Sequence, residues 1–168
     1  MPIENERKYL LNINSLDEIS NISSTKLEIK QGYLSKEARI RQVNDEITSF
    51  YFTYKQLIDN NLIEVETEIS EKDFLTLWKS ISKKHKLEKI RYKIDQCEID
   101  YFYNNGKVYF AMAEIELPEN QEEPTAIPDF IKKHVIHNVA KHDIRFCNAN
   151  LTLKKSKKLY KEFKNEQD

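Results

Sequence analysis

The stretch Lys86–Leu117, KLEKIRYKIDQCEIDYFYNNGKVYFAMAEIEL, contains three candidate β-strands in close succession. β-Branched and aromatic residues are frequent in Lys86–Ile94, Cys97–Tyr103 and Lys107–Leu117, and the turn-forming Asn104-Asn105-Gly106 separates the last two. Strands joined by so short a turn pair antiparallel. The stretch therefore predicts consecutive antiparallel strands.

The rest of the chain adds more strands than helices. Five further strands are predicted at Ile3–Leu11, Thr25–Ser35, Glu37–Val43, Glu46–Lys55 and Leu62–Ser70. One helix begins after Ser70, which can cap it with Asp73 at the capping-box spacing, ahead of an apolar stripe. Further helices are predicted over Pro128–His134 and Asn150–Glu166. Eight strands with so few helices favour an antiparallel barrel or a strongly curled sheet.

The composition limits the class of protein. The 168 residues fit one domain, and 27 basic against 28 acidic side chains leave a net charge of -1. This balance argues against a general nucleic-acid or membrane-surface binder, so neither partner is expected. Only Gly32 and Gly106 occur, which excludes the Gly-rich loops of Walker-type and dinucleotide-binding folds. Two cysteines, short apolar runs and an acidic start at Met1–Glu4 predict a soluble cytoplasmic protein.

Charged residues alternate with apolar ones along six of the predicted strands. Side chains two positions apart share one face of a strand, so these charges form rows. The rows are Glu4, Glu6 and Lys8; Arg39 and Arg41; Thr53 and Lys55; Glu64, Glu66 and Glu68; Lys89, Arg91 and Lys93; and Glu114 and Glu116.

Such rows are either the solvent-facing sides of amphipathic strands or the lining of a barrel. Like charges crowded in this way repel one another unless ligands of opposite sign lie between them. Carboxylate rows favour divalent cations, and Lys/Arg rows favour a polyanion. A barrel that turned these rows inward would hold a metal–polyphosphate complex, and its apolar faces would lie outward beneath the helices.

Short motifs along the chain resemble those of one family, in order. Glu4-Asn5-Glu6-Arg7-Lys8 has the E-x-E-x-K pattern that opens the CYTH superfamily, the triphosphate tunnel metalloenzymes. Gln31-Gly32-Tyr33-Leu34 resembles the Q-G-Y-L of its second strand. The remaining matches are Arg39-Ile40-Arg41, Thr53-Tyr54-Lys55, Glu64-Val65-Glu66, Lys89-Ile90-Arg91, Asp100, Glu114-Ile115-Glu116, Arg145-Phe146-Cys147-Asn148 and Asn150-Leu151. Within the family, the chain looks most like the short bacterial inorganic triphosphatases. It departs from the family pattern at Leu62, where an Arg is common; either one cationic contact to phosphate is missing, or Lys93 supplies it.

The resemblance implies an α+β, mainly antiparallel β fold: an eight-stranded closed β-barrel, or triphosphate tunnel, with surface helices, in one domain over residues 1–168. It implies Mg2+ or Mn2+ as the cofactor. The expected metal ligands are Glu4, Glu6, Glu64, Glu66, Glu114 and Glu116. The expected substrate-binding cations are Lys8, Arg39, Arg41, Lys55, Lys89 and Arg91. The expected catalytic residues are Lys55, Tyr33 and Glu6; neighbouring cations would lower the pKa of Lys55, which with Tyr33 would orient or deprotonate water.

The function implied is metal-dependent hydrolysis of a small-molecule triphosphate, inorganic tripolyphosphate to pyrophosphate and phosphate, by a monomer or homodimer. The alternatives on the same tunnel are an adenylyl cyclase and a nucleoside or thiamine triphosphatase. A third is a non-catalytic polyphosphate-binding module. The lysine cluster Lys154, Lys155, Lys157 and Lys158 is interpreted as a solvated helix face, with contact to RNA as the alternative.

Overall fold

The computed structural model describes residues 3–23 and 25–167, so the outermost residues of the predicted domain (1, 2 and 168) lie outside the described residues, as does residue 24. The described strands are β1 (Ile3–Glu4), β2 (Glu6–Leu11), β3 (Thr25–Tyr33), β4 (Ala38–Asn44), β5 (Thr48–Ile58), β6 (Asn61–Glu68), β7 (Lys86–Ile94), β8 (Cys97–Asn104), β9 (Lys107–Glu116) and β10 (Val135–Asn138). The helices are α1 (Leu16–Ile22), α2 (Glu71–Ser80), α3 (Asp129–Lys132) and α4 (Leu153–Asn165). Among the described residues, no helix is both long and apolar enough to cross a membrane.

All ten described strands belong to one antiparallel sheet, in the order β1-β6-β5-β4-β3-β7-β8-β9-β2-β10. The prediction of a mainly antiparallel α+β fold is confirmed. The prediction of an eight-stranded closed barrel is wrong, because the sheet is a curled half-barrel whose hydrogen-bonded order runs from β1 to β10 without closing.

The difference originates at Asn5, which divides the predicted first strand. Residues before it pair with β6 (Ile3 opposite Ile63), whereas residues after it pair with β9 (Glu6 opposite Glu116). The Asn5 side chain donates hydrogen bonds of 2.7 and 2.8 Å to the carbonyls of Pro118 and Gln121. No continuous strand therefore joins β6 to β9, because the chain changes its pairing partner at Asn5. On the other side of β2, the sheet is extended by β10.

Two apolar cores cover the convex side of the sheet, as the alternation predicts. One packs α1 and α3 against β2, β8 and β9, with Ile19, Ile131 and Tyr101 at its centre. The other packs α2 against Ile40, through Phe74 and Ile81. The predicted cap of α2 is confirmed, because the Ser70 hydroxyl accepts a hydrogen bond of 3.0 Å from the amide of Asp73.

A third core fills part of the concave side, which the sequence analysis did not predict. Leu10, Leu87, Phe102 and Met112 are buried there with residues of the C-terminal segment, which are Phe146, Leu151, Leu159, Tyr160 and Phe163. Each of the four sheet residues lies two positions from a charged residue and shares a strand face with it; the pairs are Leu10 with Lys8, Leu87 with Lys89, Phe102 with Asp100 and Met112 with Glu114. The concave face is therefore apolar where the C-terminal segment covers it and charged over the rest.

Candidate functional site

The charged part of the concave face encloses a cavity of about 620 Å³. Eleven of the residues predicted for the site line it: Glu4, Glu6, Lys8, Arg39, Arg41, Lys55, Glu64, Glu66, Arg91, Glu114 and Glu116. They come from β1, β2, β4, β5, β6, β7 and β9, and the period-two alternation turns each of them inward. The curl of the sheet therefore brings together residues up to 112 positions apart in the chain.

Two predicted residues, Lys89 and Tyr33, do not line this cavity. The side chain of Lys89 is fully buried and donates to Asp100 at 2.6 Å and to Asn148 at 3.3 Å. The Tyr33 hydroxyl accepts a hydrogen bond of 2.7 Å from the Gln31 amide. Both side chains stand behind the lining, so they hold lining residues in position.

One group of opposite charges surrounds Lys55, on β5. Its Nζ lies 2.8 Å from Glu4 Oε1 on β1 and 2.9 Å from Glu64 Oε2 on β6. Burial and Arg39 lower the pKa of Lys55, but the two carboxylates outweigh them, and the net direction is upward. The expectation of a lowered pKa is therefore wrong: in this arrangement Lys55 is a firmly protonated cation.

A second group lies beside it on β4 and β6. An Nη of Arg39 lies 3.8 Å from Glu64 Oε1 and 3.9 Å from Glu66 Oε2, while the Thr53 hydroxyl donates to Glu66 at 2.7 Å. The Arg39 Nε is buried with no hydrogen-bond partner among the described residues. Arg39 thus has donor capacity that the protein itself does not use.

The third group, Glu6, Lys8 and Glu114, lies on the paired strands β2 and β9. Lys8 Nζ lies 3.2 Å from Glu6 Oε1. Burial and the nearby Glu114 carboxylate raise the pKa of Glu6 to about 8. For Glu114 burial acts in the same upward direction, but Lys8 and Arg91 reverse it and lower its pKa to about 2. Near neutral pH these two carboxyl groups therefore share one proton.

These carboxylates are suited to a hard divalent cation. Glu114 Oε1 is buried and has no hydrogen-bond partner among the described residues, and Glu6 carries a proton that a cation would displace. In residues 3–23 and 25–167 no three acidic, histidine or cysteine side chains already form a ligand set, and Lys8 and Lys55 contact three of the carboxylates, which are Glu6, Glu4 and Glu64. Carboxylate oxygens are nevertheless the donors that Mg2+ and Mn2+ prefer.

The fourth group is buried deepest and centres on Asp100, on β8. Asp100 accepts hydrogen bonds from Lys89 at 2.6 Å and from Arg91 at 2.7 and 2.8 Å, and Arg91 also contacts Glu98. Burial raises the pKa of Asp100, but Arg91 and Lys89 outweigh it and hold that pKa well below its usual range. Burial together with Arg91 and Arg41 lowers the pKa of Lys89 to about 7, against the pull of Asp100.

Arg41 is the cation with the least compensation. It is almost fully buried, and its Nε donates to the Gln31 side chain at 3.1 Å. In the described part of the chain no carboxylate oxygen lies within 4.0 Å of it. Burial, followed by Arg39 and Arg91, lowers its pKa to about 10. A buried guanidinium of this kind is energetically costly unless an anion binds beside it.

Four residues outside the predicted catalytic, substrate-binding and metal-binding sets also lie in this region. Lys93, Glu98 and Asn148 line the cavity, and Asp100 anchors two of the predicted cations. The alternation on β7 had placed Lys93 in a charged row, and Asp100 and Asn148 had matched family motifs; the same alternation on β8 could have found Glu98, which shares a face with Asp100. Asn148 lies in the C-terminal segment, where no strand periodicity indicates which way it faces.

A smaller recess of about 470 Å³ adjoins the cavity and shares Arg41, Glu66, Arg91 and Lys93 with it. One part of its wall is apolar and consists of Leu27, Ile29, Val43, Ile47 and Tyr51, whereas Asp45, Glu46 and Ser49 make the rest polar. The charged cavity thus continues into a space whose apolar part suits an uncharged group.

Comparison with known proteins gives a likeness of structure alone. No protein-family model and no curated protein matches the chain. Among solved structures, the PH1012 protein from Pyrococcus horikoshii OT3 is similar, at 20% identity and a TM-score of 0.50, over 71% of this chain and 81% of that one. A conserved hypothetical protein from Pyrococcus furiosus has 18% identity and a TM-score of 0.47, over 71% and 81%. A candidate adenylate cyclase from Vibrio parahaemolyticus has 12% identity and a TM-score of 0.45, over 72% and 79%. The likeness to the PH1012 protein shows that this chain shares its fold.

Proposed function

We propose that this chain is a triphosphate tunnel metalloenzyme that hydrolyses inorganic tripolyphosphate to pyrophosphate and phosphate with Mg2+ or Mn2+. The observation that carries the proposal is the composition of the cavity wall, in which cations and carboxylates face one another across about 620 Å³. A polyanion alone would be repelled by the carboxylates, and a metal ion alone would be repelled by the cations. A metal–polyphosphate complex satisfies both.

The cations divide into those that bind and those that position. Lys8, Arg39, Arg41, Lys55 and Arg91 line the cavity and would bind phosphate oxygens, which neutralises charge that grows in the transition state. Arg39 and Arg41 offer the most, since neither has a carboxylate within hydrogen-bond distance. Lys89 would act from behind the wall by positioning Asp100 and Asn148.

The carboxylates would hold the metal ion. Glu6 and Glu114 on one flank, and Glu4, Glu64, Glu66 and Glu116 around the rest of the cavity, supply the oxygen donors. When bound, a divalent cation would neutralise charge on the phosphate oxygens and lower the pKa of the attacking water. Glu6, whose pKa of about 8 leaves it protonated near neutral pH, is the candidate proton donor or acceptor when no cation occupies it. Lys55, whose pKa is raised, would orient the phosphate instead of removing a proton, and Tyr33 would hold Arg41 in place through Gln31.

The scarcity of apolar side chains in the wall of the main cavity favours an inorganic substrate. Of its lining residues, Ile3 and Val65 alone have apolar side chains. Tripolyphosphate has no apolar part to place, so it would need only the charged lining of the main cavity.

The adjoining recess supports a second candidate substrate. Its apolar wall, with Tyr51 and the exposed Ile47, would accept the base or ring of an organic triphosphate whose phosphates lie on Arg41 and Arg91. In that case the chain would be an adenylyl cyclase or a nucleoside or thiamine triphosphatase.

The test is phosphate release from tripolyphosphate, ATP and thiamine triphosphate with Mg2+, with Mn2+ and with EDTA, with ATP reactions also examined for cyclic AMP. We expect metal-dependent release that is fastest from tripolyphosphate. Glu6→Gln should abolish turnover, whereas the matched control Glu28→Gln, on the exposed face of β3, should not change it. Cyclic AMP would establish the second candidate, and tight binding of tripolyphosphate without any turnover would indicate a polyphosphate-binding module.

A further inference from the structure

A second large concavity lies outside the charged cavity and shares no lining residue with it. It has a volume of about 900 Å³ and lies between the end of α2, the start of β7, the β8–β9 turn and the first turn of α4. Five lysines line it, Lys83, Lys84, Lys86, Lys154 and Lys157, against the single acid Glu88. We call it the lysine groove.

The lysines of the groove are not neutralised within the protein. In the described part of the chain none of the five has a carboxylate oxygen within 4.0 Å, whereas Glu88 lies 3.9 Å from Lys30, outside the groove. Four of the five side chains are exposed, and the fifth, Lys86, places its Nζ 4.5 Å from the centre of the Trp78 ring. Although the net charge of the chain is -1, this surface is strongly positive.

The helix that ends at the groove adds to its positive charge. The first turn of α4 contains no acidic residue, and no side chain caps it. Lys154 stands in that turn, where a cation opposes the helix dipole and lowers helix stability. A lysine at an uncapped helix start destabilises the helix, and an anion bound there would offset both the lysine charge and the helix dipole.

The floor of the groove is aromatic and apolar. Trp78, Tyr103 and Tyr109 line it together with Leu87 and Leu153, and Trp78 and Tyr103 are half-buried. The uncharged amides of Asn104 and Asn105 stand at its edge. Lysines around aromatic rings, with amides at the edge, match a ligand that has both phosphates and flat bases.

We propose that the lysine groove binds single-stranded nucleic acid, with phosphates on its lysines and a base against its aromatic floor. This site is separate from the proposed triphosphatase site and does not depend on it. It takes up the RNA alternative for the C-terminal lysines, of which Lys154 and Lys157 line the groove. An acidic peptide would satisfy the lysines but would leave the aromatic floor unused.

The experiment measures binding of a twelve-residue oligouridine with a 5′-hydroxyl end, which carries no triphosphate, to the full chain. Trp78 is the only tryptophan, so its fluorescence reports directly on occupancy of the groove. We expect quenching of Trp78 on binding. The logarithm of the association constant should fall with the logarithm of KCl concentration with a slope of about -3.5, since five lysine contacts contribute roughly -0.7 each.

Two variants that each lose four positive charges distinguish binding in the lysine groove from general electrostatic attraction of the oligouridine to the protein surface. Lys83→Gln, Lys84→Gln, Lys154→Gln and Lys157→Gln together should weaken binding at least about tenfold and flatten the salt slope. The control combines Lys72→Gln, Lys79→Gln, Lys158→Gln and Lys161→Gln, which lie on α2 and α4 outside the groove, and should change affinity less than about twofold.

Three results would overturn the proposal. They are equal losses in the two variants, binding without a change in Trp78 fluorescence, and tighter binding of a polyglutamate of equal charge than of the oligouridine. Tripolyphosphate hydrolysis should be unchanged in both variants, so failure of the groove proposal is distinguishable from failure of the proposed enzyme function.

Discussion

Replacing Asp100 by Asn removes a fully buried negative charge that contacts two cations. The Asp100 carboxylate accepts three hydrogen bonds, at 2.6 Å from Lys89 and at 2.7 and 2.8 Å from Arg91. Each hydrogen bond to a charged group contributes about 1.5–3 kcal/mol, but the three share one acceptor group and do not add. Removing one member of a buried ion pair costs about 3–5 kcal/mol, because the partner charges stay buried. An Asn side chain keeps one acceptor oxygen, so we expect a loss of about 3 kcal/mol in the free energy of unfolding.

The assay is urea unfolding followed by circular dichroism, with a matched change at Glu98. Glu98 also contacts Arg91, but its side chain is 25% exposed, so Glu98→Gln should cost at most about 1 kcal/mol. For a chain of this length the Asp100→Asn loss corresponds to a melting temperature roughly 6–12 °C lower. A loss below about 1 kcal/mol, or one equal to that of Glu98→Gln, would refute the view that Asp100 anchors the buried cations.

Three further predictions concern pH, substrate and packing. Because the pKa of Asp100 is lowered in the folded state, the stability that it contributes is complete above about pH 4 and is lost as the pH falls; the gap in unfolding free energy between wild type and Asp100→Asn should shrink from pH 7 to pH 2.5, and a constant gap would contradict this. Arg41→Gln should lower kcat/KM for tripolyphosphate at least about 10²-fold without lowering the melting temperature, because among the described residues the buried guanidinium has Gln31 as its one hydrogen-bond partner; a joint loss of stability and activity would contradict it. Gly32→Ala should cost about 1–3 kcal/mol, since the new Cβ would lie 2.9 Å from Ile81 Cδ1; Ile81→Val in the same chain should recover part of that loss in urea unfolding, and no recovery would show that the clash is not the cause.

The alternation of residues predicted the strands and the lining of the site, because a period of two fixes which side chains share a face. Every strand predicted between residues 25 and 117 is present with shifts of a few residues at its ends. The orientation of the charged rows toward the inside of the curl was also predictable, because closely spaced like charges repel one another unless a ligand of opposite sign lies between them. The helix α2 was predictable from its cap and from the apolar stripe that follows it.

Features that depend on distant contacts were not predictable in this way. The break at Asn5 is set by two carbonyls more than a hundred residues away, and β10 forms because the β2 edge is available to it. The pKa of Lys55 was predicted in the wrong direction because Glu4, 51 positions away, contributes a carboxylate that no local pattern places there. In each case the physical cause is long-range in sequence.

The concave face changes abruptly from charged to apolar, and this change sets the inner end of the cavity. On β2, β7, β8 and β9 the switch takes one pair of positions, from Lys8 to Leu10, Lys89 to Leu87, Asp100 to Phe102 and Glu114 to Met112. Two residues of strand span about 6.6 Å, so each of the four strands passes from the charged wall to the apolar core within a single step of that length. The C-terminal segment packs against the apolar side of this boundary, so the inner end of the cavity is fixed jointly by the sheet and by that segment, and deepening the cavity would require displacing both.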